Sequence, residues 1–110
     1  MAWLEGEGWH LLWDNEHPRA KYIKIDESRG KAFLAPARKQ ANGDYFVDEE
    51  KAEEAQIIEK RKSFLAHCYV IKDKDGKIWQ VYWDSTDLYY NIMDAGKNGI
   101  CRDCKVIRRW

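Results

Sequence analysis

The chain has no surplus of charge: 19 lysines and arginines meet 19 aspartates and glutamates, for a formal net charge of zero. Its overall field therefore predicts neither nucleic-acid binding nor acidic mimicry of nucleic acid. No apolar run approaches the length of a membrane span. The opening residues, Met1 to Glu7, have neither the basic nor the apolar stretch of a secretory leader. Cysteine is scarce and odd in number (Cys68, Cys101 and Cys104), which speaks against a secreted disulfide framework. Together these absences predict a soluble chain in a reducing, cytoplasmic setting. Also missing are a phosphate-binding glycine loop, a nucleophile elbow and the paired histidines of a helical zinc protease. Without internal repeats, low-complexity tracts or a linker, residues 1–110 read as one domain, long enough to fold without staples.

Aromatic residues are abundant: six Trp, six Tyr and three Phe, more than a core of this size readily hides. The clearest local signal is residues 67–83. Two runs rich in β-branched and aromatic residues flank the turn Asp73-Lys74-Asp75-Gly76-Lys77, a hairpin pattern. A three-residue loop closing on Asp73 and Lys77, with Gly76 left-handed, sets Ile71 opposite Trp79 and Tyr69 opposite Val81. One face then carries Tyr69, Ile71, Trp79, Val81 and Trp83, all apolar, and the buried face fixes the register.

Period-two alternation predicts strands at 8–13, 21–25 and 31–35, the last stopped or pushed to an edge by Pro36. Asn42-Gly43 is a hairpin turn that folds 44–47 back on 37–41. Asp48 is a good N-cap, with Glu49, Glu50, Glu53 and Glu54 at the positive end and Lys60, Arg61 and Lys62 at the negative end of a helix over 49–62. Its apolar stripe is thin: Ala52, Ala55 and Ile58, beside Ile57. A second N-cap cluster at 84–87 predicts a short helix over 88–95, with Gly96 as its C-cap, and residues 104–110 read as a last strand. The expected fold is α+β: a mostly antiparallel twisted sheet with one longer and one short helix, in the order β-β-β-β-α-β-β-α-β.

Five groupings bear on chemistry. Cys101-Arg102-Asp103-Cys104 has zinc-chelating spacing, yet a structural zinc needs four ligands and no second pair exists; Cys68 and one of His10, His17 or His67 complete a site only through the fold, and two free thiols in a turn is the plainer alternative. A redox pair of the thioredoxin kind needs a helix N-terminus after a strand, and the predicted order is the reverse. His67 and Cys68 are neighbours that point to opposite faces of a strand, so His67 cannot serve Cys68 as a base; His10 or His17 meets a cysteine only if the fold brings them together. Asp73, Asp75, Asp84 and Asp87 are explained by turns and caps, and the first pair lacks the ligand spacing of a calcium loop. The basic stretch Lys97, Arg102, Lys105, Arg108 and Arg109, ending on Trp110, suits a single-stranded nucleic acid or merely a charged edge strand. A pocket lined by Trp79, Trp83 and Tyr89 against the second helix would serve a ligand.

The aromatic surplus itself favours an interface, since Tyr, Trp and Arg dominate interface hot spots. Candidate partner-binding residues are Trp9, Trp13, Tyr89, Tyr90, Arg108, Arg109 and Trp110. In size and aromatic richness, though by no shared motif, the chain is similar to small phage- or mobile-element-encoded proteins that inhibit a host protein, anti-CRISPR proteins among them. That likeness implies a viral inhibitor and supplies no site. The expectation is a non-enzymatic protein-interaction module binding through an aromatic patch bordered by charges. The alternative is a single-stranded nucleic-acid-binding module using the C-terminal strand, with a structural zinc turn at Cys101 and Cys104.

Overall fold

A computed structural model describes residues 8–14, 19–64, 66–84 and 90–110, and among these residues nine strands, one short α-helix and two 3-10 turns are formed. The strands and the helix are β1 (His10–Asp14), β2 (Arg19–Asp26), β3 (Lys31–Lys39), β4 (Tyr45–Val47), β5 (Glu53–Lys62), β6 (Ala66–Lys72), β7 (Ile78–Asp84), β8 (Tyr90–Asp94), α1 (Ala95–Asn98) and β9 (Lys105–Arg109). Seven of them close on themselves in the order β1-β2-β3-β5-β6-β7-β8, with β8 returning to β1 as the one parallel pair. The fold is therefore a closed seven-strand β-barrel with β4 and β9 outside the ring, and the expected α+β architecture does not hold. Among the described residues no helix is long and apolar enough to cross a membrane.

Alternation builds the core. Leu12, Ile23, Ala32, Ala55, Ile57, Tyr69, Ile71, Trp79, Val81 and Ile92 point into the barrel and bury one another. The β6–β7 hairpin has the expected register, Ile71 opposite Trp79 and Tyr69 opposite Val81. The Asp73 N–H donates to the Lys77 carbonyl at 3.0 Å, and Gly76 has a φ of +82°. The Asp73 carboxylate accepts the N–H groups of Asp75 and Lys77 and the indole N–H of Trp79, each at 2.9 Å. Burial pushes its carboxyl up, but these donors and the Lys77 charge outweigh burial and hold it below the usual range.

The expected helix over 49–62 is instead a 3-10 turn (Glu49–Lys51) followed by β5, the longest strand. Ala55 and Ile57 are buried two residues apart, so the strand period governs this stretch. Its charges pair across the fold: Glu53 with Lys74 at 2.7 Å, Glu54 with Lys31 at 2.9 Å and Lys60 with Glu27 at 2.8 Å. Asp48 caps nothing through its side chain; it is buried and meets Arg38 at 3.2 Å. The helix expected over 88–95 is likewise replaced: residues 90–94 are β8, between β7 and β1, and only Ala95–Asn98 is helical, with Gly96 inside it rather than capping it. The cap residues expected at 85–87 lie outside the described residues.

β3 runs through Pro36 instead of ending there, pairing with β2 on one edge as far as Pro36 opposite Lys21. Its other edge meets β5 over residues 31–34 and β4 over 37–39. Between them, opposite Pro36, the chain leaves the ladder at residues 48–52. The Pro36 carbonyl accepts from the Asp48 N–H on this edge, and proline has no N–H to return.

At the other end of the seam Gly30 turns the chain into β3 with a φ of +65°, and a Cβ built there would lie 2.5 Å from Trp110 Cδ1. The Trp110 indole N–H donates to the Glu27 carbonyl at 2.9 Å, while Tyr69 and Lys60 both reach the Glu27 carboxylate. Burial raises the Glu27 carboxyl, and the donors from Lys60 and Tyr69 with the Lys60 and Arg108 charges outweigh burial, for a net fall.

Two substitutions check this account in urea titrations. Gly30→Ala is expected to lower stability by about 1–3 kcal/mol, less in a Trp110→Ala background, where only backbone strain remains. Asp73→Asn sets an amide donor against the Trp79 N–H and is expected to cost about 1–2 kcal/mol near neutrality. Because the folded pKa of Asp73 is depressed, its contribution is full above about pH 4 and is lost as pH falls through the folded value, so wild type and variant converge in acid.

Candidate functional site

On the face of β6 and β7 turned away from the barrel, Val70, Gln80 and, at 1% exposure, Cys68 are also buried. What covers this face is the chain from α1 to β9. It leaves β8, passes outside β7 and β6 and comes to rest against β5. The strap begins at Asp94, whose carboxylate accepts the Lys97 N–H at 3.1 Å. Its middle is fastened by Gln80, whose side-chain oxygen accepts the Cys101 N–H at 2.8 Å, and by Arg61, whose guanidinium donates to the Cys101 carbonyl at 3.5 Å.

Cys101 and Cys104 form a disulfide across this turn, with Cα atoms 5.4 Å apart. Cys68 is a free thiol, and its Sγ lies 3.8 Å from Cys104 Sγ. All three sulfurs fall within 4.8 Å of one another, close enough to hold a metal ion, although two are engaged with each other. Burial raises the Cys68 thiol to about 11, against a smaller opposing pull from Arg61. No histidine of the described chain joins this group: His10 opposes Ile23 and His67 shares the face of Tyr69, both facing the barrel interior. His17 lies outside the described residues. Sequence spacing marks Cys101 and Cys104; Cys68 joins them only because the strap crosses β6.

The aromatic and basic candidates divide between two sides of the barrel. Trp9 precedes β1 and donates its indole N–H to Glu49 at 3.0 Å. Trp13 on β1 is 38% exposed. Tyr90 packs against the core with its ring 6.4 Å from His10, and Tyr89 is outside the described residues. Arg108, Arg109 and Trp110 lie on β9 and just beyond it, with the Arg108 guanidinium 4.3 Å from the Trp110 ring. β9 adjoins β5, which the ring separates from β1 by β2 and β3 on one path and by β6, β7 and β8 on the other. Of the basic set, Arg102, Lys105, Arg108 and Arg109 are exposed along the end of the strap and β9, while Lys97 stands at the strap's far end on α1.

The pocket expected between the sheet and a second helix has no such helix to form it, and Trp79 points into the barrel, beneath Lys21 and Lys77 at 4.4 and 4.1 Å. An open cleft of about 910 Å³ does lie along the seam, walled by Pro36, Ala37, Tyr45 and Ala52 and rimmed by Lys39 and Glu50. Trp79 also lines this cleft beside Tyr45, and the lysines and carboxylates around it are balanced, so it selects no charge type.

A buried neutral thiol makes two measurements decisive. In the folded oxidised chain Cys68 is expected to resist iodoacetamide near pH 8 and to be alkylated at once in denaturant, as read by mass spectrometry. Since folding raises its pKa, the stability it contributes is full below an unfolded value of about 8.5 and falls as pH climbs toward about 11. Cys68→Ala should flatten that alkaline decline; an unchanged slope would assign it to other groups.

No family model, curated protein or solved structure matches the chain, so its own residues are what bears on its function.

Proposed function

We propose that the chain is a non-enzymatic protein-interaction module whose partner docks on the β9 side of the barrel. One observation carries this reading: β9 pairs with β5 and with no other strand among the described residues, while Lys105, Ile107, Arg108, Arg109 and Trp110 stand exposed there. A free strand edge offers unpaired N–H and C=O groups to an added strand. The Trp110 N–H bonds the Ile58 carbonyl, so alternation turns the Arg109 N–H toward the open side. Ile107, 52% exposed among cations, supplies an apolar anchor, and the cations select an acidic extended segment. If the partner is an enzyme, covering that segment makes the chain an inhibitor, the role its size and aromatic richness imply. Zinc at Cys101 and Cys104 alone is no part of this reading, because the disulfide engages both sulfurs.

Single-stranded nucleic acid is the second reading, favoured by the exposed Arg102, Lys105, Arg108 and Arg109. It ranks second because a base would have to stack on Trp110, and that ring already meets Arg108 and the Gly30 backbone.

Immobilised wild-type chain, Ile107→Asp and Arg109→Pro separate the two in one experiment, the proline removing an outward donor that an edge strand can spare. A protein retained by wild type and at least about tenfold depleted on both variants supports docking at β9, since about 1.4 kcal/mol is a factor of ten. Equal retention by all three sinks it. A labelled oligonucleotide held tighter than about 10⁻⁶ M near physiological salt, and released steeply by added salt, decides for nucleic acid instead.

A further inference from the structure

We propose that the reduced chain holds one zinc ion on Cys68, Cys101 and Cys104, a three-thiolate site that the disulfide keeps closed. The distances suit the metal. With zinc–sulfur bonds near 2.3 Å, tetrahedral geometry places sulfurs about 3.8 Å apart, and Cys68 Sγ and Cys104 Sγ are already 3.8 Å apart. Cys101 Sγ completes a group whose members all lie within 4.8 Å. Opening the disulfide therefore demands a rearrangement of tenths of an ångström to an ångström or two within one turn, and leaves the barrel untouched.

The frame of the site does not depend on the oxidation state of its sulfurs. Gln80 holds the Cys101 N–H and Arg61 holds the Cys101 carbonyl, both through backbone atoms. Cys68 is fixed within β6, between β5 and β7. Three thiolates and a divalent zinc carry a net charge of −1, and the cation beside the turn is the Arg61 guanidinium, which is shared with its ion-pair partner Glu59. Cys101 is the most open of the three, with Cys68 and Cys104 buried at 1% and 8% exposure. Zinc's fourth position consequently faces outward and goes to water, as in zinc sites with three protein ligands.

A trialkylphosphine reduces the Cys101–Cys104 bond: phosphorus attacks one sulfur and the sulfur–sulfur bond breaks to release the other as a thiolate; water then attacks phosphorus, the phosphorus–sulfur bond breaks, and the two protons of that water finish on the two sulfurs. The phosphine leaves as its oxide. Zinc then displaces three thiol protons, one each from Cys68, Cys101 and Cys104, into the buffer. The disulfide and the metal thus exclude each other, and each braces the strap that carries β9.

The test uses the full chain in two states, oxidised and phosphine-reduced, under argon. Each is incubated with zinc, freed of excess metal by gel filtration and assayed with a chromophoric chelator in denaturant. One zinc per reduced chain and none per oxidised chain is the expected result; a reduced chain that retains no zinc overturns the proposal. Cobalt(II) in place of zinc then counts the sulfurs, because its near-ultraviolet thiolate charge-transfer band grows with each thiolate bound. Wild type should give the three-thiolate intensity and Cys68→Ser two-thirds of it, with zinc at least about tenfold weaker. Two-thirds intensity in wild type, or an undiminished band in a Cys68→Ser chain with the wild-type circular dichroism spectrum, would assign the metal to Cys101 and Cys104 alone. The wild-type band needs no variant to fold.

Discussion

Four residue pairs close the barrel. Lys31 to Leu34 of β3 meet Gln56 to Glu53 of β5, and without that short ladder the other seven-strand pairings would describe an open, curled sheet with two long edges. Closure satisfies every central strand on both sides and defines an inside, so the alternation of each strand acquires a meaning. Ala32 opposite Ala55 shows what the ladder requires: two small residues, both essentially buried, at the place where the sheet returns on itself. Proline and glycine mark its limits. Pro36 ends the pairing at one side by withholding a donor, and Gly30 ends it at the other by turning beneath Trp110.

The outside of the barrel is organised by a second constraint, the need to cover β6 and β7. Both strands have buried residues on both faces, since Val70 and Cys68 alternate with Tyr69 and Ile71 on β6 and Gln80 stands between Trp79 and Val81 on β7. Strands buried on both sides need a layer above them, and the chain supplies it with the strap rather than with a helix of any length. A strap has few backbone hydrogen bonds of its own, so it is fastened at points: Asp94 at the start, Gln80 and Arg61 in the middle, sulfur beneath. That the fastening at Cys101 goes through backbone atoms leaves the sulfurs available for chemistry that need not disturb the cover.

The hairpin of β6 and β7 was legible because its signals agree: a glycine where the turn needs positive φ, an aspartate with donors within two to six residues, and an unbroken apolar face. Residues 49–62 were not legible, because their local signals agree on a different answer. Acidic residues come first and basic ones last, which is what a helix dipole favours, yet Glu53, Glu54 and Lys60 find partners on Lys74, Lys31 and Glu27 instead. Those partners are distant in sequence and exist only after closure. The single local hint was Ala55 and Ile57 two apart, outweighed by four glutamates. The sulfur site divides in the same way: Cys101 and Cys104 announce themselves by spacing, whereas Cys68 is 36 residues from Cys104 and meets it only because the strap crosses β6. The aromatic set was legible as a surplus and illegible as a surface, since the ring order alone puts Trp13 and Trp110 on opposite sides.

The seam also explains why there is an exposed edge at all. β3 has nine residues and β5 has ten, and only four of each pair with the other. The unpaired lengths run past each other in opposite directions and leave two half-edges. β4 occupies the one on β3 and β9 the one on β5. Each added strand satisfies the barrel and moves the open edge outward by one position. On β9 that edge carries Lys105, Arg108 and Arg109, charges that repel another copy of the same edge. The same charges do not repel an acidic strand, and Ile107 among them rewards one that brings an apolar side chain. On the docking reading proposed above, a device that prevents self-pairing is also a filter for partners, and its selectivity would follow from the sign of the charge that blunts the edge.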